Sequence, residues 1–66
     1  MQIQLNGEQR EVPDGLTVMA LLAHLGLNPA RVAIERNLEI LPRSQWQTTA
    51  VAAGDRYEIV QFVGGG

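Results

Sequence analysis

The stretch Arg56-Tyr57-Glu58-Ile59-Val60-Gln61-Phe62, RYEIVQF, decides how the rest of the chain must be arranged. Its β-branched and aromatic content makes it a strand, and a strand turns successive side chains to opposite faces. One parity holds Tyr57, Ile59 and Gln61 and continues to Val63; the other holds Arg56, Glu58, Val60 and Phe62. Since the second set begins with two charges, the first is expected to face the core. Val60 and Phe62 then stand on solvent, rimmed by Glu58, and an exposed apolar pair of this kind is a candidate docking patch for a partner. The alternative is the opposite parity, or cover by the loop that precedes the strand.

Moving outward, the N-terminal stretch MQIQLNGEQREV alternates apolar Met1, Ile3 and Leu5 with Gln2, Gln4 and Asn6. Asn6-Gly7 supplies the two positive-φ residues of a tight hairpin turn, so the first two strands are antiparallel neighbours. The second, Glu8 to Val12, is polar except at its end and reads as solvent-facing; Pro13-Asp14-Gly15 stops it. In LTVMALLAHLGLNP, Val18, Leu21, Leu22 and Leu25 fall at i, i+3, i+4 and i+7, one apolar stripe of a helix, with Thr17 as N-cap, Gly26 just past the end and Pro29 barring continuation. A helix this short does not persist alone and must lie on the apolar face of the strands. Val32 and Ile34 mark a third strand, and Arg36-Asn37 begins a turn into a fourth that Pro42 confines to a sheet edge. RSQWQTTAVAAGD is a loop with room for one helical turn, with Trp46 and Val51 directed inward. The order ββαββ, with a mixed sheet of four or five strands on one helix, is the α+β arrangement called β-grasp or ubiquitin-like. Residues 1–62 form that domain and residues 63–66 a C-terminal glycine tail.

The composition sets limits on function. A chain of 66 residues has room for one small core and no deep catalytic cleft. Hydrophobic residues at 45% and charged residues at 18% are a globular balance rather than that of a disordered chain. No cysteine is present, which removes disulfides, zinc thiolates and a cysteine nucleophile together and points to a reducing, cytoplasmic setting. No apolar run approaches a membrane span. A net charge of -2, with five arginines and no lysine, gives no basic field for nucleic acid. A monomer with neither nucleic acid nor membrane as partner is expected.

No catalytic constellation emerges among the side chains. His24 lies on the helix face away from the apolar stripe and reads as solvated. Asp14, Asp55, Glu8, Glu11, Glu35, Glu39 and Glu58 are scattered among turns and polar strand faces without the spacing of metal ligands, and all read as surface residues. Ser44 and Thr17 have no base nearby in sequence. The terminal Gly64-Gly65-Gly66 precedes neither a helix nor a lysine, so it is no phosphate-binding loop. Trp46 and Tyr57 are expected in the core.

The terminus remains, as a frayed end or as a carboxylate on a narrow arm. Glycines lack the Cβ that would block a thin channel or crowd the acyl carbon. The four residues from Val63 to Gly66 reach at most about 14 Å. Such a chain is acted on by enzymes and is not one itself.

At this point LNGE in the first hairpin, TVMALLAHLGL in the helix, VAIERN, LPRSQW, GDRYEIV and the VGGG end together resemble, over the whole chain, the ThiS family of sulfur carriers in thiamin biosynthesis. The resemblance implies that an E1-like adenylyltransferase of the ThiF type uses ATP to adenylate the Gly66 carboxylate. Sulfur from cysteine, delivered through a cysteine desulfurase and a persulfide donor, then makes it a thiocarboxylate. A thiazole synthase of the ThiG type takes the sulfur. Gly65 and Gly66 match the family's terminal pair; Gly64 is shared by part of the family. Val63, Gly64 and Gly65 would thread into the partner's active site, while Phe62, Val60 and Glu58 dock outside it. No cofactor or metal is expected on the carrier itself. Sulfur carriers for molybdopterin, tRNA thiolation or cysteine synthesis share the tail chemistry, and a TGS-like binding module shares the fold.

Overall fold

The structure is a computed structural model that describes residues 1–63. Strands β1 (Gln2–Leu5), β2 (Glu8–Glu11), β3 (Val32–Arg36), β4 (Glu39–Ile40) and β5 (Arg56–Gln61) form one sheet in the order β2-β1-β5-β3-β4, and helix α1 (Val18–His24) is the only α-helix among the described residues. β5 is the central strand, parallel to β1 and antiparallel to β3. This is the mixed β-grasp sheet expected from the sequence, with five strands rather than four and the short β4 at an edge.

The local reasons are legible residue by residue. Asn6 and Gly7 both have positive φ, 49° and 82°, as the hairpin turn between β1 and β2 requires. Asn6 does more than turn the chain. Its side-chain amide donates to the Ile59 carbonyl at 3.1 Å, and its carbonyl oxygen accepts from the Ile59 N–H at 2.8 Å, extending the β1–β5 pairing past the last residue of β1.

α1 begins where Thr17 Oγ1 accepts from the Ala20 N–H at 3.1 Å. Two further amides at that end donate to the long loop, Val18 to the Thr49 carbonyl and Met19 to that of Trp46, both at 2.9 Å. The helix ends at Gly26, whose φ of +74° lets its own N–H reach Ala23 and the Leu27 N–H reach the Leu22 carbonyl, closing the last turn. Val18, Leu21 and Leu22 are fully buried. Burying each leucine contributes roughly 1.5 to 3 kcal/mol, which is how seven residues hold a helix they could not hold alone.

Trp46 and Val51 point inward from the loop as expected and join Ile3, Val12, Val32, Ile34, Tyr57 and Ile59 in the core. A 3-10 turn over Arg43–Gln45 leads into Trp46. The indole N–H donates to the Leu41 carbonyl at 3.0 Å, and the Arg43 guanidinium lies 4.5 Å from the ring centroid. Arg43 also donates to the carbonyls of Pro29 and Val32, tying this loop to the start of β3.

Two expectations need correction. Asp55 is not a surface residue: it is only 6% exposed, and its carboxylate accepts from the Ala52 N–H and the Tyr57 hydroxyl, each at 2.9 Å. Arg36 Nε at 3.2 Å and the Asn37 amide at 3.3 Å complete the set. A carboxylate with this many donors withstands burial. Second, only half of the core-facing parity of β5 is covered. Tyr57 and Ile59 are buried, but Gln61 and Val63 are exposed, because β5 runs on beyond the end of β1 and the short helix.

The turn joining β3 to β4 carries Asn37 and Leu38 with φ of 52° and 71°. Leucine is disfavoured in this region, and Leu38 is 69% exposed, so no packing offsets the strain. Leu38→Gly is expected to stabilise the fold by about 1 kcal/mol, since Asn-Gly is the preferred pair for this turn. Reversible urea unfolding checks it, and a lower midpoint would refute it.

Candidate functional site

The strand that leads to the tail is held along both edges. Five residue pairs join β5 to β3, from Val32 opposite Gln61 to Arg36 opposite Tyr57. Beyond the end of the strand the Phe62 N–H still donates to the Arg31 carbonyl at 2.7 Å. Val63, one residue on, is 96% exposed. Gly64, Gly65 and Gly66, the residues assigned to adenylation and threading, lie outside the described residues.

Val60 and Phe62 stand on the outer face of the sheet, 57% and 51% exposed, with Glu58 exposed beside them. The parity read from RYEIVQF is therefore the one the fold adopts. The structure also brings in residues the sequence did not single out. Ala33 is registered opposite Val60, Glu35 lies between Glu58 and Ile40, and Ile40 is 79% exposed. Ala33, Glu35, Ile40, Glu58 and Val60 surround a shallow hollow with Ile34 at its base. Its neighbour continues along Pro42 to Phe62, so one apolar face runs from β4 to the root of the tail. The signal that could have found Ile40 was the turn at Asn37-Leu38: given the register, β4 must present Ile40 on the same face as Glu35.

Among the described residues the rest of the surface offers little chemistry. His24 is exposed at the end of α1. Among the described residues no three His, Asp or Glu side chains gather as metal ligands, and no helix is long and apolar enough to cross a membrane. The buried carboxylate of Asp55 is fully engaged by its donors. Burial pushes its pKa up, but the Ala52 N–H, the Tyr57 hydroxyl, the Asn37 amide and the Arg36 charge outweigh burial and hold it below the usual carboxylate range.

Fold and surface thus define a β-grasp domain whose central strand ends beside an apolar face, with three glycines following Val63 in the sequence. The family model of the ThiS family matches residues 3–66. A thiazole synthase of Paramagnetospirillum magneticum is 50% identical over all 66 residues of this chain, which spans a fifth of that protein's length. The sulfur carrier protein ThiS of Escherichia coli is 36% identical, with each chain covered completely. The crystal structure of a thiamine biosynthesis protein (ThiS) from Geobacter metallireducens superposes with a TM-score of 0.85 at 35% identity, again over the whole of both chains. The chain belongs to the ThiS family.

Proposed function

We propose that this chain is a sulfur carrier for thiazole formation in thiamin biosynthesis, with the Gly66 carboxylate as the group that carries the sulfur. The observation that supports it most is the end-to-end match to a protein named as a sulfur carrier, in a chain without a cysteine on which sulfur could otherwise reside. An E1-like adenylyltransferase would join the carboxylate to the α-phosphate of ATP and release pyrophosphate. The terminal sulfur of a persulfide displaces AMP, and a thiol then cleaves the resulting disulfide, leaving the thiocarboxylate. Thiazole synthase receives that sulfur. The carrier contributes position and access rather than catalysis.

In this reading residues 1–62 stay outside the enzyme while Val63, Gly64 and Gly65 pass through its wall. Ordering the arm costs about 1 to 2 kcal/mol per residue. Covering the exposed halves of Val60 and Phe62 offsets part of that cost, at roughly 25 cal/mol per Å² of apolar surface. The cytoplasm, where ATP and persulfide donors are found, is the setting this chemistry needs, and the free carrier is a monomer.

Incubation with the E1-like enzyme of the same organism, ATP and a persulfide donor, followed by intact mass measurement, tests the proposal. The expected result is a gain equal to the difference between sulfur and oxygen, and that product should support thiazole formation with thiazole synthase. An unchanged mass with an enzyme that is active on its own carrier would overturn it.

A further inference from the structure

We infer that the outer face of β3, β4 and β5 is shaped to receive one basic side chain set in an apolar rim, and that the partner presenting it is thiazole synthase. The inference rests on the sulfur-carrier reading and gives it a docking chemistry. Glu35 and Glu58 are registered directly opposite each other on adjacent strands and share the outer face. Like charges so placed repel and weaken a sheet. Among the described residues neither is ion-paired within 4 Å. Arg36, adjacent to Glu35, is turned to the other side of the sheet and engaged with Asp55. Arg56, two residues before Glu58 and of the same parity, makes no ion pair with it.

The two exposed carboxylates have apolar neighbours on one side. Ile40 flanks Glu35 on β4, and Val60 follows Glu58 along β5 opposite the small Ala33. In the free chain this face therefore leaves apolar surface exposed and like charges facing each other. A complementary surface removes both costs at once, with one cation between the two carboxylates and apolar groups over Ile40 and Val60. Arginine suits the position best, because its planar guanidinium presents donors to two carboxylates together. Thiazole synthase is the occupant favoured by similarity. Proteins named thiazole synthase in Paramagnetospirillum magneticum and Magnetococcus marinus carry the region that this chain matches within their own longer polypeptides, at 50% and 39% identity.

The test uses the full chain, its Glu35→Gln and Glu58→Gln variants and the double variant, with thiazole synthase and the E1-like enzyme of the same organism. Free-chain melting should be unchanged or slightly raised in all three, since repulsion is relieved. Each single substitution should weaken binding to thiazole synthase about tenfold, the scale of losing one partner of an interfacial charge pair. The double variant should lose little more than either single one, because both carboxylates serve the same cation. Added salt should weaken the wild-type complex and leave that of the double variant nearly unaffected. Unchanged affinity for thiazole synthase, or a loss confined to the E1-like enzyme, would overturn the inference. If wild-type chain gains no sulfur in the mass assay, the carrier reading fails. If it gains sulfur while the glutamine variants bind as tightly as wild type, this inference fails alone.

Discussion

Replacing Asp55 by alanine is expected to destabilise the domain by about 3 kcal/mol, the scale for removing one member of a buried charge network. For a chain of this length, total stability is roughly 3 to 10 kcal/mol at 0.05 to 0.15 kcal/mol per residue, so the variant loses a large share of it. The cause is specific. The substitution strips partners from the Ala52 N–H, the Tyr57 hydroxyl, the Asn37 amide and the Arg36 guanidinium, and the hydroxyl sits on a side chain with no exposure. Asp55 has its folded pKa depressed, so its contribution is present above the unfolded value of about 3.9 and is lost as pH falls through the folded one. The stability gap between wild type and Asp55→Ala should therefore be widest near neutrality and narrow below about pH 4. Tyr57 acts at the other end of the scale. Burial pushes its phenol up to about 12, so the stability tied to its neutral form is present below its ordinary value and lost as pH rises from about 10 toward that value. Denaturant unfolding across pH measures both windows, and an Asp55→Ala gap that stays constant through the acid range would refute the first.

Removing Gly66 is expected to abolish sulfur loading altogether, and Gly65→Ala to slow it by one to two orders of magnitude, with the melting temperature of both unchanged. Deletion withdraws the carboxylate by about 3.3 to 3.6 Å. Displacement of even 1 Å from a reactive geometry costs about a hundredfold in rate. In the proposed threading the alanine adds a methyl group to an arm passing through a narrow channel, and overpacking of that kind costs about 1 to 3 kcal/mol, or about five- to 150-fold. Gly64→Ala, further from the acyl carbon, should be milder. Single-turnover loading by intact mass separates the three. A chain that still gains sulfur without Gly66 would remove the terminal carboxylate from the mechanism.

Much of the fold was legible because its signals are local. The two-residue period of β1 and β5, the stripe from Val18 to Leu25, and the turn at Asn6-Gly7 each depend on neighbours in sequence, and each is present in the structure. The parity of RYEIVQF placed Val60 and Phe62 on the outer face from two charges alone. Asp55 was misread for the opposite reason. Arg36 and Asn37 lie 19 and 18 residues away and reach it only after β3 and β5 have paired. The extent of the docking face was hidden in the same way, since Ile40 belongs to a two-residue strand with no period of its own. Gln61 and Val63 continue the core parity beyond the point where any core is left to meet them.

The central place of β5 has a mechanical consequence. In the threading proposed above, the last strand must withstand a pull when carrier and enzyme separate. A terminal strand on a sheet edge would peel away one hydrogen bond at a time. β5 is flanked by β1 and β3, with the Asn6 amide and the Arg31 carbonyl holding it near its exit. A tug at Val63 therefore loads two ladders together in shear, and the enzyme's grip should give way before the domain does.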